Sequence, residues 1–381
     1  MKPYRLYAEK LFNGQRMLTE QVLSINNGTI TAIDQNIDNA DYYAKGLVVP
    51  GFIDLQVNGG GGVLFNQSPS VDHLKTMMKA HCQFGTTAMM PTLITDKVAV
   101  MAQAADVIAQ ALNEKVPGIL GIHFEGPHIS IAKKGAHSSE FIRTITDAEW
   151  DILQRQDIGK IIVTLAPEAV RLDDVKRMVN LGIKVCIGHS NADYKTTQAC
   201  VDAGASGFTH LYNAMSPLQG REPGVVGAAL LNDHTSCGLI LDGHHVDYVS
   251  AKIALKTKPK GKLFLVTDAM PPVGCDQTEF DFFDRKVTLA EGKLTSSTGE
   301  LAGSVLTMIT AVHNAYHHLD ITLEEAIKMA TQYPADYLFD QSSQYGKLAV
   351  GTKADFVVLD PLLTVQSTWL AGNKVFEANP I

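Results

Sequence analysis

No stretch of this 381-residue sequence approaches the ~18 consecutive apolar residues that a membrane-spanning helix requires. Its N-terminus, MKPYRLYAEKLF, lacks the long apolar core of a signal peptide. Both absences point away from a membrane and toward a cytoplasmic protein. Cysteine is sparse: Cys82, Cys186, Cys200, Cys237 and Cys275 are scattered and form no CxxC pair. That distribution suits unpaired, buried thiols in a reducing compartment. Positive charge is also lacking. The net charge is −8 and no Lys/Arg cluster interrupts it, so a nucleic-acid partner is not expected. An anionic ligand would need a local positive site instead of a global field. Internal repeats, low-complexity tracts and flexible linkers are missing too.

What remains is ordinary globular material, 45% hydrophobic and 19% charged. From Gly51 onward, short apolar runs alternate with helical stretches. FIDLQV, TTAMMPTLIT, ILGIHF, IIVTLAP, IKVCIGH, GFTHL, CGLILD and LFLVTD make eight candidate strands, the number a closed parallel barrel needs. VDHLKTMMKAHCQF and VAVMAQAADVIAQALN are the first intervening helices, and helical segments return between about residues 304 and 339. Residues 274–299 have the pattern of an inserted hairpin. The two ends differ from the middle. LSINNGTITAID carries an Asn27-Gly28 hairpin signal, and STWLAGNKVFEA carries a turn at Gly372-Asn373. The expected architecture is α/β: a TIM-like (β/α)8 barrel over 51–345, with a small β-sandwich domain formed by residues 1–50 and 346–381. Two separate β decorations are the alternative.

Four of the barrel runs stop at a residue that can bind metal. Glu125 closes ILGIHFEGP, His189 closes IKVCIGHS, His210 closes GFTHLYNAM, and Asp268 closes KLFLVTDAM. The C-terminal strand ends of such a barrel converge on one mouth, so distant residues can share an ion. One carboxylate and two imidazoles suit Zn2+ or Fe2+ and leave a position open for water. Asp268 suits the base that takes a proton from that water and later returns it to a departing amine. Blander readings exist for each. Glu125 could pair with Lys133 or Lys134, and Asp268 could cap a helix, although Pro271-Pro272 argue against that. His123, two residues before Glu125, faces the same way on a strand and is not assigned as a ligand. Gly59 to Gly62 suit a tight turn better than a phosphate cradle. His317-His318 have the setting of solvated helix residues, and His73, His81, His234 and His313 lie outside the strand-end pattern.

FIDLQVNGGGG, HFEGPH, KKGAH, GHSNA, THLYNAM, GREPGVVG, DGHHVD, LVTDAM and LAGSVLTM run in this order through nearly the whole chain. Together they resemble the N-acetylglucosamine-6-phosphate deacetylases of the amidohydrolase superfamily. Most of that superfamily ends its first strand in His-x-His. Here Gln56 and Asn58 stand there, and no lysine occupies the end of IIVTLAPE. The resemblance therefore implies a single divalent metal per subunit, Zn2+ with Fe2+ as the alternative, held by Glu125, His189 and His210. Gln56 and Asn58 would lie near the metal's water. It also implies a phosphorylated amino sugar as substrate. His137 would polarise the acetamide carbonyl. Ala136, Leu301, Ala302 and Gly303 would line the sugar, Asn213 and Ala214 would donate to its phosphate, and His245, preferred to His244, would contact the substrate. Arg221 would clamp the phosphate from the neighbouring subunit of a homodimer, the alternative being a loop ion pair with Glu222. Three rival functions stand beside deacetylation of N-acetylglucosamine 6-phosphate. They are the same reaction on N-acetylgalactosamine 6-phosphate, another amidohydrolase reaction such as deamination, and an inert barrel. Arg221 with Asn213 argues against deamination, and a full set of ligands argues against inertness.

Overall fold

Eight parallel strands follow one another in chain order around a barrel. They are Phe52–Val57, Thr86–Ile94, Gly121–Glu125, Lys160–Leu165, Lys184–Ile187, Gly207–Phe208, Ser236–Leu239 and Leu263–Leu265. The computed structural model describes residues 2–283, 285–340 and 344–379. Each of the eight overlaps a run expected from sequence; Gly121–Glu125 extends one residue past its run, and Lys160–Leu165 and Ser236–Leu239 start one residue before theirs. The last meets the first through a parallel bridge between Val57 and Ala269, beside a 2.9 Å bond from the Asp268 N–H to the Gln56 carbonyl. The strands are buried on both faces, all nine residues of Thr86–Ile94 among them, which is why they are continuous apolar runs without alternation. Helices Val71–Cys82 and Val98–Asn113 lie where the periodic segments predicted them. The Ser70 side chain caps the first by accepting the His73 N–H. The second buries Met101, Ala104, Ala105, Ile108 and Ala111, a stripe at helical spacing. The later helical region resolves into Met308–His318, Leu323–Ala330 and Gln332–Phe339. No described helix is long and apolar enough to cross a membrane.

The two ends of the chain share one sheet, so separate decorations are ruled out. Its seven strands run, in spatial order, Asn373–Glu377, Val365–Leu370, Phe356–Leu359, Tyr42–Pro50, Tyr4–Phe12, Met17–Asn26 and Thr29–Asp34. Phe356–Leu359 pairs antiparallel with Leu47 to Pro50, joining the C-terminal strands to the N-terminal ones. The expected sandwich thus takes the form of a single hydrogen-bonded sheet with an apolar core of its own, including Leu6, Leu23, Val48, Phe356 and Trp369. Asn27 and Gly28 adopt the positive φ of a two-residue hairpin turn, 48° and 76°. The C-terminal turn falls one residue earlier than expected, at Ala371 (φ 47°) and Gly372 (φ 75°), with Asn373 already in the strand.

The insertion between residues 274 and 299 is a three-stranded antiparallel sheet of Glu279–Phe282, Arg285–Ala290 and Lys293–Ser296. Its apolar face of Phe280, Phe282, Val287 and Leu294 packs on Leu64, Ile94, Met270 and Ala302. This seats it against residues at the C-terminal ends of the barrel strands.

Barrel closure buries one carboxyl group completely. Asp54 Oδ1 accepts the N–H groups of Gln56 and Thr267, both at 3.2 Å, and Oδ2 accepts the Thr267 hydroxyl. Burial outweighs these donors and pushes the Asp54 pKa up to about 7. An unfolded aspartate titrates near ~3.9, so the folded form holds an extra proton across the interval between. The stability this group contributes is full below the lower value and is lost as pH rises through the upper one. Asp54→Asn removes that titration. The Tm of wild type relative to the variant is expected to fall between about pH 4 and pH 7, and thermal melts across that range would check it. A constant difference would mean that Asp54 is charged throughout.

Candidate metal centre and its cavity

Glu125 is the last residue of its strand, whereas the other three strand-end residues lie just beyond theirs. His189 follows Ile187 by two residues, His210 follows Phe208 by two, and Asp268 follows Leu265 by three. All three adopt left-handed backbone conformations, with φ of 49°, 33° and 53°. Such geometry costs on the order of 1–3 kcal/mol at a non-glycine residue and clusters at functional sites. Here it turns three side chains inward from the rim.

Their reactive atoms converge. Glu125 Oε1 lies 3.2 Å from His189 Nε2 and 2.9 Å from His210 Nε2, and the two nitrogens are 3.0 Å apart. The three residues are buried and together could hold a metal ion. His189 Nδ1 is 2.9 Å from the Lys133 carbonyl. It must donate there, so its Nε2 carries the lone pair that faces Glu125. Burial alone would raise the Glu125 pKa, but the contacts and charges of His189 and His210 overcome it and hold the carboxyl well below the usual range. An anionic oxygen and two imidazole nitrogens are the donors a divalent zinc or iron ion prefers. Glu125 therefore faces histidines, and neither Lys133 nor Lys134 is its ion-pair partner. Lys134 Nζ donates to the carbonyls of Gly135 and His137 instead.

Gln56 and Asn58 hold the second carboxylate. Gln56 Nε2 donates to both Glu125 oxygens, at 3.1 and 3.2 Å, and to Asp268 Oδ1 at 3.1 Å. Asn58 Nδ2 donates to the same Asp268 oxygen at 2.6 Å. With Oδ1 occupied twice, Oδ2 is the oxygen left to face the cavity. Burial first, and the negative charge of Glu125 second, push the Asp268 pKa up to about 6. Asp268 caps no helix, since the next one starts at Met308.

A cavity of about 330 Å3 opens above these groups. Ala136, His137, Asn213, Ala214, His245, Leu301 and Gly303 all line it. Ala302 does not; it packs into the apolar cluster beneath the inserted sheet. His137 is buried, with Nδ1 2.8 Å from the Thr95 hydroxyl and its ring 4.3 Å from that of His189. Burial first, then the charge of His189, drives its pKa well down, so it is a neutral imidazole. His245 Nδ1 meets Asp242 Oδ2 at 2.6 Å. His244 is outside the lining and faces Gly292. Arg221 is exposed and does not reach the cavity of its own chain. Nor does it pair with Glu222, whose Oε1 accepts the N–H groups of Tyr194 and Gly224. His123 sits under the centre between the hydroxyls of Thr92 (3.3 Å) and Thr164 (2.7 Å), with burial lowering its pKa to about 4. It is a neutral part of the barrel interior. The N–H groups of Gly59, Gly61 and Gly62 bond to the carbonyls of Ala269, Val273 and Pro271, so these three amides hold a tight turn and do not face an anion.

Sequence reasoning missed Thr95, Asp242 and the Lys133 carbonyl, which orient His137, His245 and His189. Thr95 and Asp242 end two of the expected strands, and that position was a usable signal. Nothing local marks the Lys133 carbonyl. Ile94, Met270 and Phe282 were missed as cavity walls because they come from three separate elements.

A parallel barrel that gathers one carboxylate, two imidazoles and a second carboxylate at its mouth is the scaffold of a metal-dependent hydrolase. The chain belongs to the amidohydrolase family, whose sequence profile matches residues 47–377. It is 49% identical to an N-acetylgalactosamine-6-phosphate deacetylase of Shewanella sp. (strain ANA-3), over 96% of this chain and 94% of the relative. It is 35% identical to an N-acetylglucosamine-6-phosphate deacetylase of Vibrio furnissii, over 97% of this chain and 94% of the relative. Among solved structures it superposes on the N-acetylglucosamine-6-phosphate deacetylase of Pasteurella multocida with a TM-score of 0.94, at 35% identity, covering 99% of this chain and all of that one (100%).

Proposed function

We propose that this enzyme hydrolyses the acetamide of N-acetylglucosamine 6-phosphate to glucosamine 6-phosphate and acetate, a step of amino-sugar catabolism. The observation that carries the reading is the convergence of Glu125, His189 and His210 directly beside an Asp268 carboxylate fixed through one oxygen. Glu125, His189 and His210 would hold one divalent ion per subunit, Zn2+ before Fe2+. When bound, such an ion lowers the pKa of a water and polarises a carbonyl oxygen. Asp268 Oδ2 takes the proton from the attacking water as the new C–O bond forms. The same oxygen then gives that proton to the nitrogen as the C–N bond breaks, releasing the amine and acetate. Gln56 and Asn58 keep the carboxylate aimed throughout. Neutral His137, held at Nδ1 by Thr95, offers Nε2 to the developing oxyanion.

Asn213, Ala214 and His245 would bind the phosphorylated sugar along one wall, with Ala136, Leu301 and Gly303 against the ring. Arg221 would reach the phosphate of a neighbouring site in a homodimer. Its exposed position and that of nearby Leu218, 56% exposed, support this. Residues 1–50 with 346–381 would form one unit and 51–345 the catalytic barrel. The five cysteines are unpaired, in agreement with a cytoplasmic setting, and four are buried as expected while Cys275 is exposed.

A second reading is the C4 epimer, N-acetylgalactosamine 6-phosphate. It is favoured by the Shewanella relative, whose 49% identity exceeds the 35% of the Vibrio one. Acetate release from both epimers by the purified protein, with metal content measured on the same sample, tests both readings. Activity with about one metal per chain is expected. A folded, metal-loaded protein inactive on both sugars would refute the deacetylase assignment.

A further inference from the structure

Resting on that deacylation reading, we infer that Ile94, Met270 and Phe282 form a closed wall that receives the methyl of the N-acyl group and restricts the enzyme to short acyl chains. The three residues line the cavity and belong to one apolar cluster, although they come from a barrel strand, the turn after Asp268 and the inserted sheet. Ile94 is the register partner of Glu125 across two parallel strands, so the two side chains project from the same face side by side. Met270 lies two residues past Asp268 and is 2% exposed. Its Cγ crowds the backbone of Gly303, where an added Cβ would come within 2.4 Å of it. Phe282, 3% exposed, closes the wall from the inserted sheet.

The direction of the acyl chain follows from the position of the reacting carbon. That carbon must lie between the metal ligands and Asp268, and its substituents begin only about 1.5 Å away. Asn213 and His245 line the cavity after the sixth and seventh strands, and Lys133 is bound through its carbonyl to His189 after the fifth. Ile94 ends the second strand and Met270 follows the eighth, so the former side offers the polar partners. A sugar phosphate carries polar groups that lose free energy unless they are paired, so it takes that side. The acyl group is then directed at the apolar wall. The cavity, at about 330 Å3, is near the lower end of the range of ligand sites, roughly 300–1,000 Å3. A hexose phosphate leaves little of it for additional methylenes. Close-packed interiors resist such insertion, and one methylene in an apolar pocket is worth roughly 10–200-fold in kcat/KM.

The test compares N-acetyl, N-propionyl and N-butyryl glucosamine 6-phosphate as substrates for wild type, Phe282→Ala and Ile94→Ala. Wild type is expected to prefer acetyl to butyryl by at least ~100-fold, and each variant to shrink that ratio at least ~10-fold. Phe282→Ala also trims the contact that seats the inserted sheet, which is why Ile94→Ala accompanies it. The backbone of Ile94 is pinned on both sides by Asn66, whose Oδ1 accepts its N–H at 3.0 Å and whose Nδ2 donates to its carbonyl at 3.1 Å. Equal use of acetyl and butyryl by wild type would overturn the wall, as would ratios unmoved in both variants. Either result would leave the deacetylase itself standing. A wild type inactive on the acetyl substrate would overturn the deacylation reading and the wall together.

Discussion

Asp268→Asn is expected to lower kcat by at least ~10³-fold while binding metal in the same amount as wild type. The substitution is close to isosteric. The new amide oxygen can still accept from Gln56 and Asn58, whose side chains now reach Asp268 Oδ1 at 3.1 and 2.6 Å. What disappears is the proton acceptor at Oδ2, where an NH2 group would face the cavity. One positioned acid or base contributes roughly 10²–10⁴-fold. Asp268 serves in both halves of the reaction, so the upper part of that range applies. Its pKa, pushed up to about 6 by burial and then by Glu125, suits both proton transfers. A cation at Glu125 would lower it, and the group is ionised at neutral pH in either case. None of the three converging ligands is altered, so elemental analysis should find the metal unchanged. A kcat within tenfold of wild type would remove Asp268 from the mechanism.

Arg221→Ala is expected to cost about 100-fold in kcat/KM on the phosphorylated sugar, the scale of one or two charge-assisted hydrogen bonds. It should have little effect on the same sugar without phosphate. The more informative result comes from mixing. Arg221 is exposed and outside its own cavity, so under the proposed homodimer the phosphate it would clamp lies in the site of the other copy. In a heterodimer of Arg221→Ala with Asp268→Asn, one site has both faults and the other has none. Random exchange of equal amounts should therefore restore about a quarter of the wild-type sites from two nearly inactive preparations. No recovery after demonstrated exchange would mean that each chain is self-sufficient and that Arg221 has another role.

The barrel was legible because its strands are apolar on both faces and each stops at a chemically distinctive residue. Hydrophobic periodicity located the helices Val71–Cys82 and Val98–Asn113 for the same reason. Glu125, His189, His210 and Asp268 were readable as candidates from strand ends alone. The left-handed backbone at the last three was not, because histidine and aspartate carry no glycine-like signature for it. That the two ends meet was an expectation, but the pairing of Phe356–Leu359 with Leu47 to Pro50 was not foreseen, since register across some three hundred residues leaves no local trace. The C-terminal turn was misplaced by one residue because Gly372-Asn373 mimics a common turn pair, while the fold puts Ala371 in the position that glycine usually takes. The cavity walls were invisible in sequence: Ile94, Met270 and Phe282 look like ordinary core until three elements meet.

The shared end sheet has a consequence for synthesis. The strand Tyr42–Pro50 leaves the ribosome about three hundred residues before Phe356–Leu359, the strand that covers its edge. At roughly 5–20 residues per second, that edge waits on the order of 15–60 s for its partner. An uncovered strand edge is a template for other chains, and lysine, proline and irregular backbone are the usual protections. Tyr42–Pro50 contains Lys45, Gly46 at φ 126° and Pro50. When the partner strand arrives, the Leu359 carbonyl settles where a Cβ on Gly46 would come within 2.3 Å of it. The irregularity that guards the nascent edge is thus also the gap into which its late partner fits.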